Sequence, residues 1–100
     1  MRSGGKAEIK SSASYVKDRV RRIITQNLDP KYPIRNSDRL VEDLKADELD
    51  EVEIVMAVEI DFDIDITDKE ASKLFTVQNY IDCVTQKVQD PHRDKSLIRP

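Results

Sequence analysis

The sequence predicts an all-α fold of three main helices and one short helix, and three observations predict it. Apolar residues recur at helical spacing near 14–28 and again near 76–88, with charged residues between them. Helix-start signals recur along the chain: Ser14 ahead of the first stretch, and Asp47 and Thr67 each followed by first-turn acids. Two Gly and four Pro in 100 residues are too few for the tight turns of an all-β chain.

Taken in order, residues 1–13 are Ser/Gly-rich and basic, with little to bury, and read as a flexible tail. Their Arg and Ser content is shared by mitochondrial transit peptides, but Glu8 intrudes and no amphipathic stripe is visible. The domain is expected over 14–90. Ser14 suits an N-cap, and Val16, Val20, Ile23, Ile24 and Leu28 form the apolar stripe of the first helix. Asp29-Pro30 and Tyr32-Pro33 end it, because a residue before proline is driven out of the α region. A loop of roughly fifteen to twenty residues follows, long enough to expect a specific role, with Val41 and Leu44 as its expected core anchors.

The second helix is expected from about Leu49 to Asp61, capped by Asp47, with Glu48, Asp50 and Glu51 at the positive end of its dipole. Val52, Val55, Val58 and Phe62 share one side and read as core. Leu49, Met56 and Ile60 lie on another side, interleaved with Asp50, Glu53 and Ala57. Ionised groups are rarely buried unpaired, so this second apolar side reads as a partner-binding face ringed by acids. After an acidic connector, Thr67 and Glu70 form a capping box that opens a short helix to about Leu74. The last helix begins near Thr76, places Val77, Tyr80, Ile81, Val84 and Val88 on one stripe, and ends at Pro91. Residues 91–100 read as a mobile tail.

Composition excludes several functions. The net charge of −3 is too small to imply nucleic-acid binding, and no apolar run approaches the ~18 residues of a membrane span. The chain is 37% charged, against a usual ~25%, so the core is thin. The charge is unevenly spread: residues 38–70 hold fourteen acids and three bases, a net of −11, and the other residues a net of +8. Cys83 is the only cysteine and His92 the only histidine, which removes disulfide, Cys-zinc and His-based catalytic arrangements. Asp61, Asp63 and Asp65 have the spacing that opens a calcium loop, but the Gly and Glu that such a loop needs are replaced by Ile66 and Ser72.

The segment Glu42-Asp43-Leu44-Lys45-Ala46-Asp47-Glu48-Leu49-Asp50 resembles the signature of acyl carrier proteins, whose loop leads into Asp-Ser-Leu at the start of the second helix. The resemblance spans roughly residues 15–89. It includes Val52 to Glu59, Phe62-Asp63, the pattern Ile66, Asp68, Glu70, Ala71, and Thr76-Val77-Gln78. It implies an all-α four-helix bundle that is not an enzyme. It also implies a 4′-phosphopantetheine arm on the motif serine, but that position is Glu48, which cannot form the phosphodiester, so no cofactor is expected. Lys45 stands where the family usually has Gly, Thr67 where Pro is frequent, and Ile60 where an acid is usual.

The resemblance therefore points to an acyl-carrier-like structural or interaction subunit that carries no acyl group. The family's use in respiratory complexes and other assemblies implies a mitochondrial setting (otherwise cytoplasm or plastid). The implied partner is a small helical protein of the LYR type with a basic, partly apolar surface, and neither nucleic acid nor membrane insertion is expected. The partner-binding residues are expected to be Glu48, Asp50, Glu53, Met56, Ala57 and Ile60, then Asp47, Leu49 and Glu51. Glu48 restores one negative charge at the helix end where the arm's phosphodiester would sit, so basic partners can still be met. Two alternatives stay open: a carrier of fatty-acid or polyketide synthesis whose serine has been replaced by Glu48, and an acidic cation-binding regulatory module.

Overall fold

A computed structural model describes residues 12–89. The first helix, α1, spans Ala13–Leu28. Its cap is Ser12 and not Ser14: the Ser12 hydroxyl accepts the Tyr15 N–H at 3.1 Å, so the helix starts one residue before the expected cap. Val16, Val20, Ile23 and Ile24 are buried as the periodicity predicts. Asp29 closes the helix in the left-handed region (φ 47) and donates its N–H to the Thr25 carbonyl, with Pro30 next in line to prevent continuation.

The long loop is stitched to the start of the last helix, α4, which spans Val77–Gln89. Leu40 donates to the Phe75 carbonyl at 2.9 Å, Val77 to Asp38 at 3.0 Å and Gln78 to Asn36 at 2.8 Å, around an isolated bridge between Arg39 and Thr76. This extended contact points Leu40 inward and leaves its neighbour outside. Leu40 is fully buried and Val41 is 48% exposed, so Leu40 replaces Val41 as the anchor, while Leu44 packs only half-buried. Ile34 and Ala46 complete the loop's share of the core. The buried Asp38 carboxylate accepts the Arg35 N–H at 2.8 Å and faces the Arg35 guanidinium at 3.4 Å.

Helix α2 spans Glu48–Phe62 and the short α3 spans Asp68–Ala71. The core stripe of α2 is Ile54, Val58 and Phe62, not the predicted set headed by Val52. At about 100° per residue Ile54 lies about 40° from Val58, whereas Val52 lies about 120° away; Val52 is exposed and Val55 half-buried. Helix α3 is shorter than expected, because the chain tightens into turns after Ala71: Lys73 donates to Glu70 and Leu74 to Ala71. Leu74 is nevertheless buried.

Helix α1 packs against both α2 and α4. Arg19 of α1 grips Asp61 of α2 through two hydrogen bonds, 2.8 and 3.0 Å long. Tyr15 meets Phe62 edge-to-face beside it, with ring centroids 6.2 Å apart. The cap of α4 is built by Asn79, whose side-chain oxygen accepts the N–H groups of Phe75 and Thr76, and by Thr76, whose hydroxyl accepts from Asn79. The expected tail over 91–100, and His92 in it, lie outside the described residues, as do residues 1–11.

Candidate functional site

The site is the first turn and outer faces of α2. Asp47 caps the helix and Asp50 returns the bond: the Asp50 N–H reaches the Asp47 carboxylate at 2.8 Å, and the Asp47 N–H reaches Asp50 at 3.0 Å. Lys45 precedes this cap with φ 64, in the left-handed region that favours glycine. The position where the family resemblance expects Gly thus keeps the backbone shape that Gly would serve. Reciprocal capping consumes Asp47 and Asp50 locally. Glu48, the first helical residue, is exposed and makes no ion pair among the described residues.

Leu49, Met56 and Ile60 are 64%, 52% and 78% exposed, on one face as the sequence predicts, with the exposed Glu53 between them. Val52, 52% exposed, joins this stripe instead of the core, where its spacing from Val55 and Val58 would place it. Asp50 and Ala57 are half-buried on its flank, and Glu51 is half-buried on the side of Val58. A free-standing helix face of four large apolar residues is more than α2 needs for its own packing, since Ile54, Val58 and Phe62 already fill the core side.

On the flank nearest α3 the same helix walls a cleft of about 530 Å³. Val52, Val55 and Met56 line one side and Ile66, Ala71, Leu74 and Phe75 the other, with Tyr80 of α4 lining it from beneath. Glu59 holds the second wall in place by accepting the Ile66 N–H at 2.8 Å. Glu48, Glu51 and Asp68 stand around the cleft. Burial drives the Tyr80 phenol well above its ordinary range, and the nearby Glu51 carboxylate adds to that shift. No signal in the sequence announced this cleft, because its walls come from segments separated along the chain.

Elsewhere, Lys87 of α4 bonds the Glu70 carboxylate at 3.0 Å. Cys83 is half-buried, and desolvation pushes its thiol pKa up, which makes it a poorer nucleophile. Among the described residues no cluster of three or more His, Cys, Asp or Glu is arranged to hold a metal ion, and no helix is long and apolar enough to cross a membrane.

The fold and this face define a class: a small all-α bundle whose second main helix begins at a doubly capped acidic turn and leaves an apolar stripe outside. Curated relatives give the class its family. Acyl carrier proteins of Buchnera aphidicola subsp. Acyrthosiphon pisum, strains Tuc7, APS and 5A, are each 45% identical to this chain over 73 residues, covering 72% of it and 91% of the relative. No family model matches the chain. At that identity and coverage the chain belongs to the acyl carrier protein family, whose named relatives are carriers by designation.

Proposed function

We propose that this protein is an acyl-carrier-like subunit that docks into a larger assembly without carrying an acyl group. The observation that carries the reading is the first turn of α2. Residues 48–51 are Glu, Leu, Asp and Glu, and none offers a hydroxyl to esterify. The other nearby hydroxyls do not substitute: Ser37 lies on the loop, and the Ser72 hydroxyl donates to the Lys69 carbonyl at 2.7 Å. The residues present do not fit a 4′-phosphopantetheine arm. What this turn can offer instead is a fixed negative charge beside the stripe Leu49, Val52, Met56 and Ile60, which suits a partner helix with basic and apolar side chains. A LYR-type protein has that chemistry, and the family resemblance suggests a mitochondrial assembly.

A second reading deserves its own arm of the test. The intact capping of Asp47 and Asp50 and the left-handed Lys45 preserve a carrier-type turn, which supports a carrier that has exchanged one residue. Intact mass after co-expression with a phosphopantetheinyl transferase addresses both readings. The parent chain is expected to gain no mass. A Glu48→Ser variant that gains one arm would support a preserved carrier turn from which one exchange removed the attachment. A mass gain on the parent would overturn the proposal.

A further inference from the structure

The outer stripe of α2 and the sequence that follows α4 are chemically complementary, and the fold brings one within reach of the other. Leu49, Val52, Met56 and Ile60 are each more than half exposed. Glu53 stands among them and Glu48 at one end, and neither acid forms an ion pair among the described residues. Residues 91–100, outside the described residues, read Pro-His-Arg-Asp-Lys-Ser-Leu-Ile-Arg-Pro. Arg93, Lys95 and Arg99 there face one acid, Asp94, and Leu97-Ile98 is an adjacent apolar pair. An apolar face ringed by acids selects that combination, apolar side chains to cover the stripe and bases to meet its rim. Residues 1–11 are basic too, but after Met1 their only large apolar side chain is Ile9.

Helix α4 ends at Gln89. Close to that end, Lys87 bonds Glu70 at 3.0 Å, and Glu70 accepts the Thr67 N–H at 2.9 Å. The adjoining Ile66 donates to Glu59 of α2 at 2.8 Å, and Ile60 is the last residue of the stripe. The end of α4 and the Ile60 end of the stripe thus flank the same short helix, α3. An extended chain spans about 3.3–3.6 Å per residue, so the stretch from Gln89 to Leu97 reaches about 26–29 Å. Leu49 to Ile60 rises only about 17 Å along the helix. We infer that residues 93–99 fold back in cis over this stripe, Leu97 and Ile98 covering Met56 and Ile60 and the flanking bases meeting Glu53. A segment that binds at millimolar strength, tethered at a millimolar effective concentration, covers the face about a half to four-fifths of the time. Whatever else needs the stripe then binds about two- to fivefold more weakly. That consequence, displacement by a partner, rests on the docking role proposed for the stripe; the contact itself does not.

The test compares amide chemical shifts of ¹⁵N-labelled full chains at low salt: the parent, L97D/I98D, R93E/K95E/R99E and the control R2E/K6E/K10E. Both C-terminal variants are expected to move the amides of Glu53, Met56 and Ile60 in the same direction and to spare the buried stripe of α1. The shifts should persist on about tenfold dilution, as a contact within one chain requires. Met56→Asp should in turn move the amides of Leu97 and Ile98. A synthetic peptide of residues 91–100 should reach the same α2 amides, and bind the L97D/I98D chain about two- to fivefold more tightly than the parent. Unmoved α2 amides in the C-terminal variants, shifts lost on dilution, α2 shifts produced by the N-terminal control alone, or equal peptide affinity for the two chains would each overturn the inference. None of these readouts involves a partner, so the two readings fail separately. Partner recovery lost with Met56→Asp beside unmoved α2 amides in the C-terminal variants overturns this inference alone. Moved amides beside undiminished recovery overturn the docking role alone.

Discussion

Glu48 stands exposed at the first residue of α2, where the free N–H groups and the helix dipole favour negative charge. Its neighbours Asp47 and Asp50 meet the same need by hydrogen bonding to each other's backbone, so Glu48 remains available to a partner. A second acid has a different task. Glu70 accepts the Thr67 N–H at 2.9 Å and the Lys87 ammonium at 3.0 Å, and both hold its carboxyl below the ordinary 4.5. A lowered folded-state pKa means that the ionised form stabilises the fold fully above the unfolded value, and that this contribution is lost as pH falls through the folded one. Glu70→Gln keeps a capping side chain but removes the charge. It should therefore cost a few tenths to about 1 kcal/mol near neutral pH. As pH falls through the lowered folded-state pKa, the variant and parent should converge in thermal melts. A constant offset across that range would show that the ion pair contributes nothing.

Among the elements, α2 differs from α1 and α4 in being apolar on more than one side. Helices α1 and α4 have one buried stripe each, and their periodicity pointed to it directly. For α2 the same reasoning admits two registers, one through Val52 and one through Ile54, and both begin from Val58. Substitution separates them: Ile54→Ala should cost about 2–4 kcal/mol by leaving a core cavity, whereas Val52→Ala should change stability by less than about 0.5 kcal/mol. Equal losses from the two would mean that Val52 is not on the outer face. The same face carries the proposed docking role. Met56→Asp and Glu53→Lys should leave the melting temperature near that of the parent, since both side chains are exposed. They should abolish recovery of the partner that the parent chain retains from the source organism. Undiminished recovery would move the interface off α2.

For the whole molecule, the modest net charge of −3 conceals a division of labour. The −11 segment over 38–70 covers α2, α3 and their connections, while α1 supplies Lys17, Arg19, Arg21 and Arg22. Among the described residues, Arg19–Asp61 joins α1 to α2, and Lys87–Glu70 joins α4 to α3. With a net of −11 over 38–70, like charges repel along this segment, an effect that salt screens over a length of about 10 Å at 0.1 M. Screening weakens the two cross-links as well, but they are fewer than the like-charge contacts. The melting temperature should rise by several degrees between about 10 mM and 200 mM NaCl, and at lower concentrations of Mg²⁺. A flat or falling melting temperature would show that the cross-links outweigh the repulsion.

Much of this was legible from local chemistry. Caps depend on residues three apart, so Asp47 with the acids after it, and Thr67 with Glu70, could be read from neighbouring letters. The exposed placement of Leu49, Met56 and Ile60 was legible too, because carboxylates interleaved with them forbid burial. Other choices needed contacts between distant segments. The pairing of Leu40 with Phe75 decided that Leu40 and not Val41 enters the core. The approach of α1 to α2 decided that Ile54 and not Val52 does so, since each valine and isoleucine is equally apolar alone. The cleft under Glu48 and Glu51 exists only where α2, the 66–75 segment and Tyr80 converge. By itself the sequence determined the helices, their capped ends, the acidic middle and the missing hydroxyl, all set within a few residues. Tertiary structure alone decided which apolar side faces inward and where a cleft opens beside α2, because burial is a property of what packs against a residue.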